Sequence, residues 1–508
     1  MRTFLLLALL WLSANLHAAD WPQATGPNAN FVVKGEAPEK FSVSLNQNIL
    51  WRTSMPSTGQ GTVIVSGKKV FVTSHDVIKE GTEMGSTILG LCLDAESGKE
   101  LWRREIPGTR TTDLSSLFSD NTAASPVADQ DRVIFTNVGG TVKCFDHDGK
   151  ENWSHTWTPF GRHHARQHEP ILHDGNLILM HAPRYDLPVS VTTKKGSQPL
   201  GRGKEYWTHL LAYDVKTGKR IWQAECGTSV HSNSMIGKLD CDRFAILTGR
   251  GGGHKPPEEP YGVSMVDAKN GKSIWDRAIP GYAAMQNACW SDTQAGLLIG
   301  KELVLLDDKS GDEQKRISLT EGVTVTKMVD NQYVTQTQQS LPKAKKSFTY
   351  TTNLMHGDYY FFRTYSHFLI GRVHLKTGKV EYLQVPVQTI RKPGQKEEVL
   401  WDKALKNDMK NAEGFLATQD KRNAGNGWGH VSAACPIIVG DRIYFPTMLG
   451  MVYVLQWNAE KWDADALVSI SDLGPAGETW SLSSLSYSDG KLYARTLKEV
   501  VCIGEATN

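Results

Sequence analysis

The run His163-His164-Ala165-Arg166-Gln167-His168-Glu169 places imidazoles, guanidinium groups and a carboxylate within a few residues of one another. On a strand His164 and His168 share a face, because side chains alternate with a period of two. Imidazoles that converge with a further ligand, such as His231 or His430, make a transition-metal site. The irregular spacing matches no standard metal motif, and a polar ligand pocket is the reading the cluster supports best. Trp428, behind the flexible lead 423–427, carries a large flat ring that either stacks on a planar quinone or sugar or wedges under a loop. The stretch 250–257 is glycine-rich but lacks the Gly-Lys-Ser/Thr ending of a phosphate cradle, and reads as a mobile loop. Lys343 to Lys346 reads as solvated surface. Neither a Ser-His-Asp triad nor a pair of hydrolytic carboxylates is recognisable from spacing alone.

These side chains need elements to bring them together, and the chain carries such elements in repeated form. A hydrophobic strand, Asp, a short turn, Gly-Lys and then Trp recur as Asp94, Gly98 and Trp102, as Asp214, Gly218 and Trp222, and as Asp267, Gly271 and Trp275. A copy one residue shorter has Asp146, Gly149 and Trp153. Weaker copies run from Asp307 to Gly311, without the Trp, and from His374 to Gly378, with Tyr382 in the Trp place. Asp accepts backbone N–H bonds in the turn, Gly supplies the positive φ that reverses the chain, and Trp has the area to wedge between sheets. Upstream of each phrase lies a pair of short apolar strands, such as Val127 with Val133 to Phe135, so each unit holds four strands. That is the signature of a propeller blade.

Eight units run approximately over 58–106, 120–158, 166–226, 229–280, 284–319, 349–386, 429–470 and 478–503. The last lacks a fourth strand, which Asn48 to Arg52 is expected to supply, closing the ring and removing a free edge. The expected fold is therefore all-β, an eight-bladed β-propeller over 48–504 behind an N-terminal extension at 20–47. Length beyond about 42 residues per blade falls at 20–47, 103–119, 184–207, 250–260, 320–348 and 387–428. Most of these connections emerge on one face, which marks it as the working surface. The apolar spacing from Glu397 to Leu416 predicts a helix in the longest insertion. Residues entering the first strands approach the channel on that face: Asp120, Asn121, Arg162, His163, His164, Arg166, His168, Glu169, His231, Asn233, Gln286, Asn287, Trp428, His430 and Trp480. This polar, His-rich set is the expected ligand-binding surface.

Composition bounds the partners. The chain has 508 residues, 40% hydrophobic and 22% charged, which excludes a disordered or disulfide-scaffold class. A net charge of +2 leaves no basic field for nucleic acid. Met1-Arg2, the apolar run Phe4 to Leu12 and the small residues up to Ala19 read as a secretory leader over 1–19. Its apolar run is shorter than the roughly 20 residues a spanning helix needs, so an exported, periplasmic or secreted protein is expected, not one embedded in a membrane. Cleavage is expected after Ala18 or Ala19. The seven cysteines lack any CxxC or adjacent pair. Most read as buried thiols, with Cys226–Cys241 as one candidate bridge.

The Asp-x-x-x-Gly-Lys-x-x-Trp copies resemble the tryptophan-docking repeats of pyrroloquinoline quinone (PQQ) dehydrogenases and of the wider family of PQQ-like β-propeller repeat proteins. The segment Asp20-Trp21-Pro22-Gln23 with Gly26-Pro27-Asn28 is similar to the start of secreted bacterial members of that family. The resemblance implies the quinoprotein alcohol dehydrogenase-like propeller. It also implies a cofactor, PQQ with calcium, in the dehydrogenases. The adjacent bridged cysteines that flank their quinone are missing here, their Glu, Asn and Asp calcium ligands match no assignable positions, and their haem domain is missing too. The lipid-anchoring Cys of the related propeller lipoprotein of outer-membrane assembly is also absent. The leading reading is a binding or scaffold module, taking a protein or small-molecule ligand on its loop-bearing face. The alternative is a PQQ-dependent alcohol or sugar dehydrogenase with a rearranged site, in which Trp428 or Trp480 stacks on the quinone. A second alternative is a carbohydrate-active propeller.

Overall fold

A computed structural model describes residues 20–77, 85–109, 111, 120–159, 168–181, 189–193, 196–199, 201–229, 233–251, 258–280, 282, 287–291, 293–343, 348–365, 367–407, 410–411, 413–414, 428 and 434–505. Eight radial sheets form the ring. Their innermost strands, in chain order, are Ile64–Ser66, Val127–Ala128, Ile171–His173, Met235–Lys238, Cys289–Ser291, Leu354–His356, Ile437–Val439 and Ser486–Ser488. We number the blades in that order. The fourth strand of blade 8 is Ile49–Ser54, antiparallel to Glu499–Ile503, so both ends of the chain share one sheet as expected.

The repeated phrase works between blades rather than within them. In each copy the Asp side chain accepts N–H bonds in its turn, as Asp94 does from Ser97 and Asp214 from Thr217. The Gly has φ between +69° and +83° in Gly98, Gly149, Gly218 and Gly271. A Cβ on any of the four would stand 2.5 to 2.9 Å from the indole of the preceding blade: Trp51, Trp102, Trp153 and Trp222 respectively. Glycine is therefore required both for the backbone conformation and for the ring that lies on it. Trp51, Trp102, Trp153 and Trp275 each donate their indole N–H to the carbonyl that follows the next blade's motif Asp, at Ala95, His147, Val215 and Asp308. Blade 5 has Lys315 in the Trp place, and its ammonium donates to the equivalent carbonyl, Leu375 O, at 3.0 Å. Tyr382 turns the other way, donating to Leu319 O at the exit of blade 5.

Three expectations need correction. The segment expected as a helix over Glu397 to Leu416 contains the strand Glu398–Leu400, paired with Gln388–Ile390. Among its described apolar residues Ala404 is buried, Leu400 half-buried and Leu405 exposed. Gln388 accepts the Leu405 N–H, so partners outside the segment take bonds a helix would have made internally. Cys226 and Cys241 are unbridged: Cys226 is buried after the last strand of blade 3, and Cys241 is exposed in the first turn of blade 4. The insertions do not all gather on one face: the hairpin within 320–348 extends the edge of blade 6, and the extension at 20–47 lies at the turn ends of the first strands. Trp21 pairs with Val65 and Pro22 O accepts from Ala128 N–H, while Gln23 bonds Leu172. Val32–Val33 then pairs in parallel with Ile438 and Val439. The segment thus crosses the turn side of the ring, where first strands end, and plugs that end of the channel.

Blade 6 departs from the four-stranded plan. The link between blades 5 and 6 folds into the hairpin Val323–Val329 and Gln332–Gln339, whose first arm pairs in parallel with Val380–Gln384. This sheet has six strands.

Candidate functional site

The segments entering the first strands are tied into a closed belt around the channel. Thr62 N–H donates to Ser125 Oγ, Ser125 N–H to Glu169 Oε2, Glu169 N–H to Asn233 Oδ1 and Asn233 N–H to Asn287 Oδ1, at 2.7 to 3.0 Å. Asn287 N–H continues to Thr351 O, and Thr352 Oγ1 donates to Ala434 O. Cys435 N–H then donates to Ser484 Oγ, and Ser483 Oγ to Gln60 O, returning to blade 1. First strands are short and face a channel, so their entry N–H groups lack ladder partners; a side-chain oxygen from the next blade supplies one. Glu169, Asn233 and Asn287, all expected as ligand contacts, sit in this belt.

Burial shapes the titration of this region. The Glu169 carboxyl is pushed up to about 7 by desolvation, opposed by the hydrogen bonds from Ser125. The neighbouring His168 is buried and bonds Ser234 Oγ at 2.9 Å, and desolvation pushes its imidazole down to about 4. Asn121 is buried where blades 1 and 2 meet. Beside it Asp120 lies 3.7 Å from His75, with both side chains fully buried. Arg495 is buried nearby, its guanidinium pushed down to about 9 by desolvation and held up in part by Asp120. His75 and Arg495 come from ends of second strands and carried no signal in the sequence.

Trp428 and Trp480 are 1% exposed. The Trp428 ring lies 5.6 to 6.3 Å from those of Tyr453, Phe368 and Tyr350, and its N–H donates to Tyr453 Oη at 3.0 Å. Neither indole offers a free face for a quinone, and Glu169, Asn233 and Asn287 are engaged between blades. The described residues do not fit a stacked PQQ with calcium, and no step through that cofactor follows. Among the described residues no group of three or more His, Cys, Asp or Glu could hold a metal. Arg162, His163, His164, Arg166, His231, Gln286 and His430 lie outside the described residues.

Over blades 7, 8 and 1 the long insertion after blade 6 lies across the channel mouth. Asn407 donates to Thr479 O before blade 8, and Glu413 accepts from Ser57 before blade 1. A cleft of about 1010 Å³ lies between blades 3 and 4. The insertions of those two blades roof it. Arg202 pairs with Glu259, and Thr208 N–H donates to Glu258 Oε1 at 2.9 Å. Trp207, His209, Gln223, Arg250, Ser273 and Asp276 are in its wall. Arg250 ends the second strand of blade 4 and its side chain is 4% exposed. One of its terminal nitrogens lies 3.6 Å from Asp276 and another donates to Arg277 O, while Nε has no partner among the described residues. A buried guanidinium N–H without an acceptor is costly unless a ligand or water completes it. The cleft wall carries the cations Lys204, Arg220 and Arg250 and the carboxylates Glu205, Glu225, Glu259 and Asp276, so it presents both signs of charge. Insertion length at 184–207 and 250–260 was the available signal for this cleft. The individual residues had none, because Arg250 reads as the start of a loop.

The family model described as outer membrane protein assembly factor BamB matches residues 42–229. Among solved structures, the chain is similar to a quinohemoprotein alcohol dehydrogenase from Pseudomonas putida HK5, at 11% identity and a TM-score of 0.52, over 96% of this chain and 81% of that one. A quinohemoprotein alcohol dehydrogenase from Comamonas testosteroni is similar at 12% identity with the same coverage and TM-score. No curated protein matches the chain. At such identities the structural likeness concerns the fold.

Proposed function

Starting from a chain whose ring is an eight-bladed β-propeller and whose repeats resemble those of PQQ-like propellers, we propose that it is an exported binding module rather than a quinone-dependent oxidoreductase, with its ligand seated in the cleft between blades 3 and 4. The observation that carries this reading is the contrast between two regions. Glu169, Asn233 and Asn287 are bonded from blade to blade and the two expected stacking rings are buried, whereas the cleft is an open volume lined by a buried guanidinium. Unpartnered buried atoms among the described residues occur in both regions, at Arg250 Nε in the cleft and at Arg495 Nε and Trp480 Nε1 by the channel. The cleft's charges of both signs suit an extended polypeptide segment, whose amides and mixed side chains present donors and acceptors together. No helix among the described residues is long and apolar enough to cross a membrane. The leader expected at 1–19 would take the protein out of the cytoplasm.

The test is a thermal melt of the mature protein with and without PQQ and calcium. A ligand at 100 times its Kd adds about 2.7 kcal/mol, so specific binding is visible as a raised midpoint. No shift is expected. A shift that disappears in Trp428→Ala would restore the oxidoreductase reading. N-terminal sequencing of protein recovered outside the cytoplasm should begin at Ala19 or Asp20; an intact Met1 would refute export.

A further inference from the structure

The outer edges of the blades differ in one respect. Natural sheets guard free edges with charge or by covering them, because an open strand pairs with another chain. The outermost strands of blades 1 to 5 carry charged residues: Arg103 in blade 1, Glu151 in blade 2, Arg220 in blade 3, Asp276 in blade 4 and Lys315 in blade 5. Arg52 lies on that of blade 8. The edge of blade 7 ends in Asp472 and is covered by the segment from Phe41 to Ser44. Blade 6 ends in Gln332–Gln339, which has no charged residue and, at eight residues, is the longest strand among those described. Most of its side chains are exposed, Val334 by 41%.

Its geometry favours a defined pairing. Asp330 and Asn331 both have positive φ and form a two-residue hairpin turn between Val329 and Gln332. Counting from that turn, Val329 and Gln332 are a hydrogen-bonded pair and Met328 and Tyr333 are not. Met328 N–H accordingly goes to Gln384 Oε1 at 3.0 Å. The main-chain N–H and C=O groups of Tyr333 and Thr335 therefore point outward. At the far end the register shifts opposite Val323 to Val325, and Gln338 has φ of 54°, so the regular ladder is limited to Gln332 through Gln336.

We propose that this strand is a self-association edge, at which a second copy of the chain pairs antiparallel across a two-fold axis through Val334. Tyr333 of one copy then exchanges main-chain bonds with Thr335 of the other, and Gln332 lies opposite Gln336. The two Val334 side chains meet at the close, non-hydrogen-bonded position, where Cα atoms stand about 4.5 Å apart. Self-pairing sets no like charges against each other. A strand without charge also has no code for selecting an oppositely charged partner, whereas its own copy satisfies it symmetrically.

Sedimentation velocity of the mature protein across a hundredfold range of concentration tests this directly. A monomer–dimer equilibrium is expected, and Val334→Lys, which sets two ammonium groups on the axis, shifts it to monomer while leaving the melting temperature unchanged at concentrations where the unsubstituted protein is already monomeric. In a Cys241→Ser background, which removes the one exposed thiol among those described, Val334→Cys should form a disulfide-linked dimer under mild oxidation. A monomer at every concentration with no cross-link overturns the proposal. So does a dimer that Val334→Lys leaves intact.

Discussion

At the residue scale the motif glycines do two jobs, which paired substitutions separate. Gly175 and Gly218 both belong to blade 3 and have φ of +72° and +69°. A Cβ on Gly175 meets nothing within 4 Å, whereas one on Gly218 stands 2.7 Å from the Trp153 ring. Gly175→Ala should cost about 1 kcal/mol, the backbone penalty alone. Gly218→Ala should cost a further 1–3 kcal/mol, roughly, for displacing the indole; equal losses in urea unfolding would refute the docking role. His168 and Glu169 give a second residue-scale test through pH. Between 4.5 and about 7 the folded Glu169 keeps a proton that the unfolded chain has lost, so its contribution to stability falls as pH rises. Between 6.5 and about 4 the unfolded chain takes up a proton that folded His168 refuses, so stability falls as pH drops. The two slopes oppose each other where they overlap. Glu169→Gln keeps an acceptor for Ser125 and should leave the His168 slope uncompensated, steepening the rise of melting temperature from pH 4.5 to 6.5. Parallel profiles for the two proteins would refute the assignment.

At the element scale the belt explains how short, poorly paired first strands hold their places. Asn233→Ala removes the acceptor for Glu169 N–H and should cost about 1–3 kcal/mol, while Asn233→Asp should cost less because it keeps the oxygen. Equal costs in denaturant unfolding would show that the side-chain volume matters and the bond does not. Elements were legible where a period was enforced by burial. The four full motif copies specified the turns and the outer strands, because Asp, Gly and Trp each have a local physical requirement. The Glu397 to Leu416 segment was not legible. Its spacing satisfied a helix, but Gln388–Ile390 offered backbone partners and Leu405 found an acceptor in Gln388, both outside the segment. The belt was equally hidden, since Glu169, Asn233 and Asn287 look alike as ligand contacts and as struts.

For the whole molecule, both ends of the chain complete the ring. Ile49–Ser54 closes blade 8, and the preceding residues from Asp20 plug the channel on the turn side, with Trp21 fully buried. Trp21 donates its indole N–H to Ala24 O and its backbone pairs with Val65, so the plug is packed and bonded rather than draped. Trp21→Ala should destabilise the protein by about 3–5 kcal/mol, as for other buried aromatics, and should expose 20–47 to protease. A loss below about 1 kcal/mol with unchanged cleavage would make the segment peripheral. That end is plugged, and the long insertion lies over part of the opposite mouth.

The sequence by itself determined the number of blades and the closure of the ring through Asn48 to Arg52. Those follow from short-range rules: turn chemistry, strand alternation and the length needed for one blade. Only the tertiary structure decided what the polar channel residues do, that Trp428 and Trp480 are buried, that the start of the chain lies beneath the ring, and that two insertions enclose a cleft around Arg250. Each of these depends on which side chain from a different blade arrives at a given atom. In a ring, such neighbours lie far apart in the chain, 44 residues for Ser125 and Glu169 and 64 for Glu169 and Asn233. Local sequence carries no information about them until the ring has closed.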